Sequence, residues 1–157
     1  MFLKHIMTKT IIIYTDGSAS PNPGRGGWAC LLFSSTDMVH SEELYGSEPW
    51  STNNRMELTA VIQSLQKSLK MENDKTILRI VNTDSTYVKK GITTWICTWK
   101  RNGWKTSNKT AVKNKDLWIQ LDELASSIPV QWNWVKGHST NMYNIRVDQL
   151  ARQAPYL

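Results

Sequence analysis

Four acids stand near the ends of regular-looking segments, where a carboxylate can face a ligand as well as solvent. Asp16 closes the apolar, β-branched run 10–15 and directly precedes Gly17. Asp84 closes a second such run, "TILRIVNTD" at 76–84. Glu57 falls in the first turn of a helix announced by "STNN" at 51–54. Asp148 stands on a C-terminal helix four residues after Asn144, and so on the same face. Open α/β sheets bind ligands at the carboxyl ends of their strands. If the strands of Asp16 and Asp84 are neighbours, the two carboxylates meet and repel, and one must take up a proton. A divalent cation between them removes that problem, and hard oxygen donors suit magnesium or manganese. Each acid also has a purely local use. Asp16 suits an Asx-turn with Gly17, Glu57 a capping arrangement with Asn54, Asp84 a cap for a helix at Ser85, and Asp148 a pair with Arg152 one turn on. Periodicity alone does not decide between the two sets of roles.

The elements that position these acids alternate between strand and helix. Residues 10–15 read as a strand buried on both faces, because the apolar run is continuous. "GWACLLF" at 27–33 reads as a second strand and residues 39–45 as a weaker third, so the three form a meander. In the helix that follows, Leu58, Val61, Ile62, Leu65 and Leu69 fall on one face. Glu57 lies at the edge of that stripe and can face the sheet. After the strand at 76–84 come helical segments separated by Gly91 and Gly103, an amphipathic helix at 115–126, a last strand at 130–135 and a short helix at 143–154. Strands first and alternation afterwards imply a mixed sheet with helices on its faces.

A chain of 157 residues makes one domain, 1–157, with the first nine residues as a flexible tail. Cys30 and Cys97 are too few and too far apart for a disulfide framework or a zinc site, and fit a reduced intracellular setting. The start "MFLKHIMTKT" lacks the apolar centre of a signal peptide, and no window reaches the length of a membrane span. The net charge of +6 favours a polyanionic partner. That charge is concentrated. Residues 85–115 hold no acid and eight Lys or Arg, so the rest of the chain sums to −2. Trp95, Trp99 and Trp104 are interleaved with these cations. Either the tryptophans are core and the lysines a solvated face, or the segment is a nucleic-acid contact.

The wording around the acids is more specific than their spacing. "TDGSASPNPGRGGW" at 15–28, "TNNRMELTAVI" at 52–62, "TDSTYVKKGI" at 83–92, "WICTWKRNGWKT" at 95–106, "VKNKDLW" at 112–118 and "WVKGH" at 134–138 occur in this order, with an Asp ten residues beyond the His. Together they resemble type 1 ribonuclease H of the bacterial kind, over roughly residues 10–154. The resemblance implies a five-stranded mixed sheet, three antiparallel strands then two parallel, flanked by helices. It implies endonucleolytic cleavage of the RNA strand of RNA–DNA hybrids, giving 5′-phosphate and 3′-hydroxyl ends. The family's four acidic positions match Asp16, Glu57, Asp84 and Asp148. They are expected to hold two Mg2+ ions, with Mn2+ able to substitute. Asp16 would bridge, Glu57 and Asp84 would hold one side and Asp148 the other. Two metals about 4 Å apart can stabilise the attacking and leaving oxygens together.

The same resemblance assigns the remaining roles. His138 matches a loop histidine that moves a proton or aids product release. The segment after it departs from the family's more acidic pattern, with Met142, Tyr143 and Ile145. The basic segment matches a substrate handle: Lys100, Arg101 and Lys105 on phosphates, Trp99 against the DNA sugar–phosphate backbone, and Trp104 beside it. Asn22, Asn53, Asn54 and Thr86 are placed along the minor groove, where the 2′-hydroxyl distinguishes RNA from DNA. Thr52 and Arg55 belong to a pocket for a DNA phosphate, in which Thr98 replaces a more usual Asn. The implied partner is an RNA–DNA hybrid and no membrane, the implied state a monomer in the cytoplasm. Two alternatives stay open: a catalytically silent hybrid-binding module, and a different nuclease or strand-transfer enzyme on the same sheet.

Overall fold

Along β1 (Ile11–Ser20) buried and half-buried positions alternate. Ile11, Ile13, Thr15, Gly17 and Ala19 face one side, and Ile12, Tyr14, Asp16 and Ser18 the other. In the computed structural model, which describes residues 8–136 and 140–157, β1 pairs antiparallel with β2 (Gly24–Ser34) and parallel with β4 (Arg79–Thr83). β2 pairs antiparallel with β3 (Asp37–Ser51), and β4 parallel with β5 (Val130–Trp134). The order β3-β2-β1-β4-β5 is the expected five-stranded mixed sheet.

Helices cover both faces. On one, α1 (Asn53–Met71) and α4 (Lys115–Ser127) bury Leu58, Val61, Leu65, Trp118 and Leu121 against Ile11, Ile13 and Val81. On the other, α5 (Met142–Gln153) packs Val147, Leu150 and Ala151 against Ala29, Leu31 and Phe33. Tyr143 of α5 lies 5.0 Å from the ring of Tyr14 and 5.1 Å from that of Phe33. The unusual residues after the histidine loop are thus the first turn of a packed helix, with Met142 and Ile145 left exposed. Truncating a fully buried leucine such as Leu65 to Ala would cost about 2–5 kcal/mol.

Several boundaries differ from the sequence expectation. β1 does not end at Asp16 but runs four residues further, because Ser20 pairs with Arg25 across the β1–β2 hairpin. β2 begins at Gly24 and β3 spans fifteen residues, most of them exposed, so no buried stripe announces its length. Gly91 does not separate two helices. α2 (Thr86–Lys90) and α3 (Ile96–Arg101) are joined through a π-helical turn at Gly91–Trp95. A β-carbon at Gly91 would overlap the ring of Trp118, so this glycine admits α4 instead of breaking the helix. Gly103 does end α3, with φ of +65°. Before β1, Lys9 Nζ lies 2.6 Å from Glu72 at the end of α1.

One buried cation fixes α1 relative to β4. Arg79 is fully buried and donates to the carbonyls of Ser68, Glu72, Asp74 and Ile77 and to Ser68 Oγ. It thereby ties the last turn of α1 to the carbonyls of the segment that leads into β4, and burial holds its guanidinium below the usual arginine range.

Candidate active site

Three segments far apart in sequence deliver three carboxylates to one place. β1 carries Asp16 on the half-buried face. The first turn of α1 carries Glu57, and Asp84 follows the last residue of β4. Each of the three offers an oxygen within 4.8 Å of those of the other two. Gly17 makes the meeting possible, since a β-carbon there would overlap the backbone of Met56 and Glu57. Its N–H donates to Asp16 Oδ1 at 2.9 Å, so the Asx-type contact and the cluster coexist.

Like charges at this distance change the protonation of the group. Asp16 is pushed up to about 7, chiefly by burial and then by the charge of Asp84. Glu57 is pushed well above the usual carboxylate range by burial, then by Asp16 and Asp84. Glu57 Oε2 is buried and lacks a hydrogen-bond partner among the described residues. A buried acceptor without a donor costs free energy, and hard anionic oxygens this close fit a small divalent cation. The donor set therefore suits the metal that the sequence implied.

The local roles considered for these acids fall out differently. Thr52 caps α1, its Oγ1 accepting from Arg55 N at 3.2 Å, so Glu57 is not needed as a cap. Ser85 caps α2 by accepting from Val88 N, so Asp84 does not. Asp148 does pair with Arg152, Oδ1 to Nε at 3.0 Å. It still lines the same cleft as the other three, a space of about 810 Å3, and acts on Asp16 across it. His138 lies outside the described residues.

The polar residues expected to meet nucleic acid are partly brought together. Asn53 Oδ1 accepts from Ala19 N at 2.6 Å, and Asn22 Oδ1 accepts from Asn53 N at 3.1 Å. Asn53, Asn54 and Thr86 line the cleft with the carboxylates. Arg55 points elsewhere, forming a two-pronged pair with Asp116 at 3.0 and 3.1 Å and reaching Asn114 Oδ1 at 3.2 Å. Neither Asn114 nor Asp116 stood out from its spacing. Asn114 holds φ of +61°, a left-handed conformation that Asn tolerates, and from it also donates to the Tyr87 hydroxyl.

In the basic segment the tryptophans pack together while the cations stay at the surface. Trp99 is half-buried, 5.6 Å from Trp95, 6.3 Å from Trp104 and 5.4 Å from Trp118. All three segment tryptophans pack in this stack, while Lys100, Arg101 and Lys105 remain exposed. Lys100 Nζ lies 3.2 Å from Asp122 of α4, which leaves Arg101 and Lys105 as the unengaged cations of the three. Thr98 lies exposed on α3.

Comparison with known proteins agrees with this geometry. A family model described as RNase H matches residues 8–156. The chain is 52% identical over 147 residues to a ribonuclease H of Aromatoleum aromaticum, covering 94% of this chain and 91% of that one. It is 50% identical over 147 residues to ribonuclease HI of Neisseria meningitidis serogroup B, covering 94% and 96%. Among solved structures, LC9-RNase H1, a type 1 RNase H with the type 2 active-site motif, superimposes with a TM-score of 0.79 at 28% identity, over 96% of this chain and 74% of that one. LC11-RNase H1, solved in complex with an RNA/DNA hybrid, shares the fold with a TM-score of 0.72 at 19% identity, over 94% and 97%. A family match across nearly the whole chain, and half of all residues shared with bacterial relatives of the same length, mean that this chain belongs to the RNase H family as a bacterial type 1 enzyme.

Proposed function

We propose that the chain hydrolyses the RNA strand of RNA–DNA hybrids, leaving 5′-phosphate and 3′-hydroxyl ends. The observation that carries this reading is the convergence of Asp16, Glu57 and Asp84, with a Glu57 oxygen that has no hydrogen-bond partner among the described residues. Asp16, Glu57, Asp84 and Asp148 would hold two Mg2+ ions, with Mn2+ able to replace them. When bound, these ions supply Lewis-acid stabilisation of the attacking and leaving oxygens and a reactive water at neutral pH. Asp16, which feels Glu57, Asp84 and Asp148 together, would be the ligand shared by the two ions. Asp148 joins the set by releasing Arg152. His138 carries a proton to or from the reacting phosphate.

The remaining residues bind and orient. Arg101 and Lys105 contact backbone phosphates, with Lys100 held in reserve by Asp122, and Trp99 with Trp104 forms the surface on which the DNA strand rests. Thr52 and Arg55 grip a DNA phosphate. Asn22, Asn53, Asn54 and Thr86 read the 2′-hydroxyl side of the minor groove. Among the described residues no helix is long and apolar enough to cross a membrane, and we place the enzyme in the cytoplasm as a monomer.

The test is cleavage of an end-labelled RNA strand in a hybrid with and without Mg2+, with duplex DNA and duplex RNA as controls. Metal-dependent cutting of the hybrid RNA alone is the expected result. Cutting of duplex DNA would move the chain to another nuclease class, and binding without cutting would make it a silent module.

A further inference from the structure

The cleft also carries an arginine, Arg25, on the side of the carboxylates away from the handle. In the sheet order Asp16 is on the central strand, and β4, which leads through Asp84 into α2 and α3, lies to one side of it. β2 lies on the other side, and from it Arg25, paired with Ser20, lines the same cleft. Arg25 is displaced from Asp16 by four residues along the strand, or about 13 Å. Its guanidinium sits 5.2 Å from the ring centre of Tyr156.

Two features make this more than a stray surface cation. First, Tyr156 is held in place although its side chain is 71% exposed. It ends a 3-10 turn, Ala154–Tyr156, that continues α5 and whose Ala154 is buried. A β-carbon at Gly27 would overlap the Ala151 carbonyl and crowd Pro155, so bare backbone on β2 is what lets this turn dock. The result is an aromatic face fixed at the rim of a polyanion-binding cleft and left open to solvent. Second, Arg25 has no carboxylate partner among the described residues, whereas Arg152, Arg55 and Arg146 are each paired with an acid. An arginine stacked on a ring keeps all its N–H donors available while its rotamer freedom is already spent. Arginine with a stacked aromatic is a combination suited to a sugar–phosphate backbone.

We propose that Arg25, braced by Tyr156, binds a backbone phosphate of the cut strand, on the side of the scissile bond opposite the handle. The assignment rests on the hybrid-cleaving reading above. Arg25 shares the cleft with the carboxylates and not with the tryptophan stack, so it meets the strand that those carboxylates engage. It touches no reacting atom and acts on binding and register.

The experiment compares Arg25→Gln, Arg25→Lys, Tyr156→Ala and Tyr156→Phe with the wild type. The readouts are hybrid affinity in EDTA and kcat/KM in Mg2+, each across a salt series. Loss of one phosphate contact makes the salt slope shallower by about 0.7–0.9. The deficit of Arg25→Gln should therefore shrink about threefold between 50 and 200 mM salt, with kcat at saturation unchanged. Arg25→Lys should keep the slope, Tyr156→Phe should match the wild type, and Tyr156→Ala should fall between. On hybrids shortened nucleotide by nucleotide from each end of the RNA, wild-type kcat/KM should drop at one step that Arg25→Gln does not feel. An unchanged slope in Arg25→Gln overturns the proposal, as does a loss that follows a lowered Tm alone. A wild type that binds hybrid without cutting it overturns the hydrolytic reading instead, and the EDTA affinities still decide the role of Arg25.

Discussion

The carboxylate cluster takes one residue each from β1, α1 and the end of β4, whereas the basic segment is a single stretch folded around its own tryptophans. The first forces like charges together and leaves an oxygen without a partner among the described residues. The second spreads its charges over an exposed surface and packs its rings half-buried beneath them. Chemistry that depends on a few converging groups fails when one is lost. Binding that is distributed weakens by degrees. The two regions should therefore respond to substitution on different scales, and the variants below separate them.

The largest effect is expected from Asp16→Asn, which keeps the shape and removes the charge. Turnover should fall by about 10³-fold or more, at the top of the range for one preorganised group, while hybrid affinity stays close to that of the wild type. Activity near wild type in a folded variant would break the comparison at its root. Next comes His138→Ala. A positioned proton carrier contributes about 10²–10⁴-fold, and one set among Gly, Ser and Thr should sit at or below the low end. Steady-state turnover should drop to a measurable remainder that extra Mg2+ does not restore. Full rescue by metal would move His138 into the ligand set.

The handle gives a smaller and differently shaped response. Neutralising Lys100, Arg101 and Lys105 together should weaken hybrid binding and flatten its salt dependence with little change in saturated turnover. Three free contacts would remove a slope of about 2.7 on B-form geometry. Because Lys100 is engaged by Asp122, the loss should be nearer two contacts, and Lys100→Gln alone should change the slope least of the three.

The smallest effect concerns the resting cluster itself. Asp16 is pushed up to about 7 in the folded chain from an ordinary value of 3.8. The folded state then holds more protons than the unfolded state between those values. Stability from this group is complete below about 3.8 and is lost as pH rises through about 7. In EDTA, Asp16→Asn should therefore melt several degrees above the wild type at pH 8 and show no such gain near pH 3.5, as thermal unfolding would reveal. Equal melting temperatures at both pH values would mean that the carboxylates do not strain one another.

How much of this was readable from residues depended on whether the cause was local. The α1 stripe is a repeat of 3.6 and appears where expected, whereas β1, read as buried on both faces from its continuous apolar run, buries one face fully and leaves the other half-buried. The extension of β1 through Gly17, Ser18, Ala19 and Ser20 was not legible, because these are weak strand formers held by pairing to β2. Gly91 read as a break because its actual reason, the Trp118 ring lying against it, is a contact between helices 27 residues apart in sequence. The Asp148–Arg152 pair was legible from its four-residue spacing. The Arg55–Asp116 pair was not legible for the opposite reason: the partners are 61 residues apart. Arg25 and Tyr156 could not be linked at all without knowing that β2 and the end of α5 touch.

Gly17 holds a last consequence. Asp16 belongs to a strand and Glu57 to a helix, so how near these two acids come depends on how close α1 can lie on β1. That approach is possible because position 17 has no methyl group. The missing atom works as a spacer gauge for the ion. A substitution such as Gly17→Ala would add no charge and remove no ligand, yet it would widen the gap between the two acids. Such a variant should shift its preference away from Mg2+ toward a larger ion that tolerates longer and looser coordination. Which metal the enzyme uses would then be set by backbone packing as much as by the acids themselves.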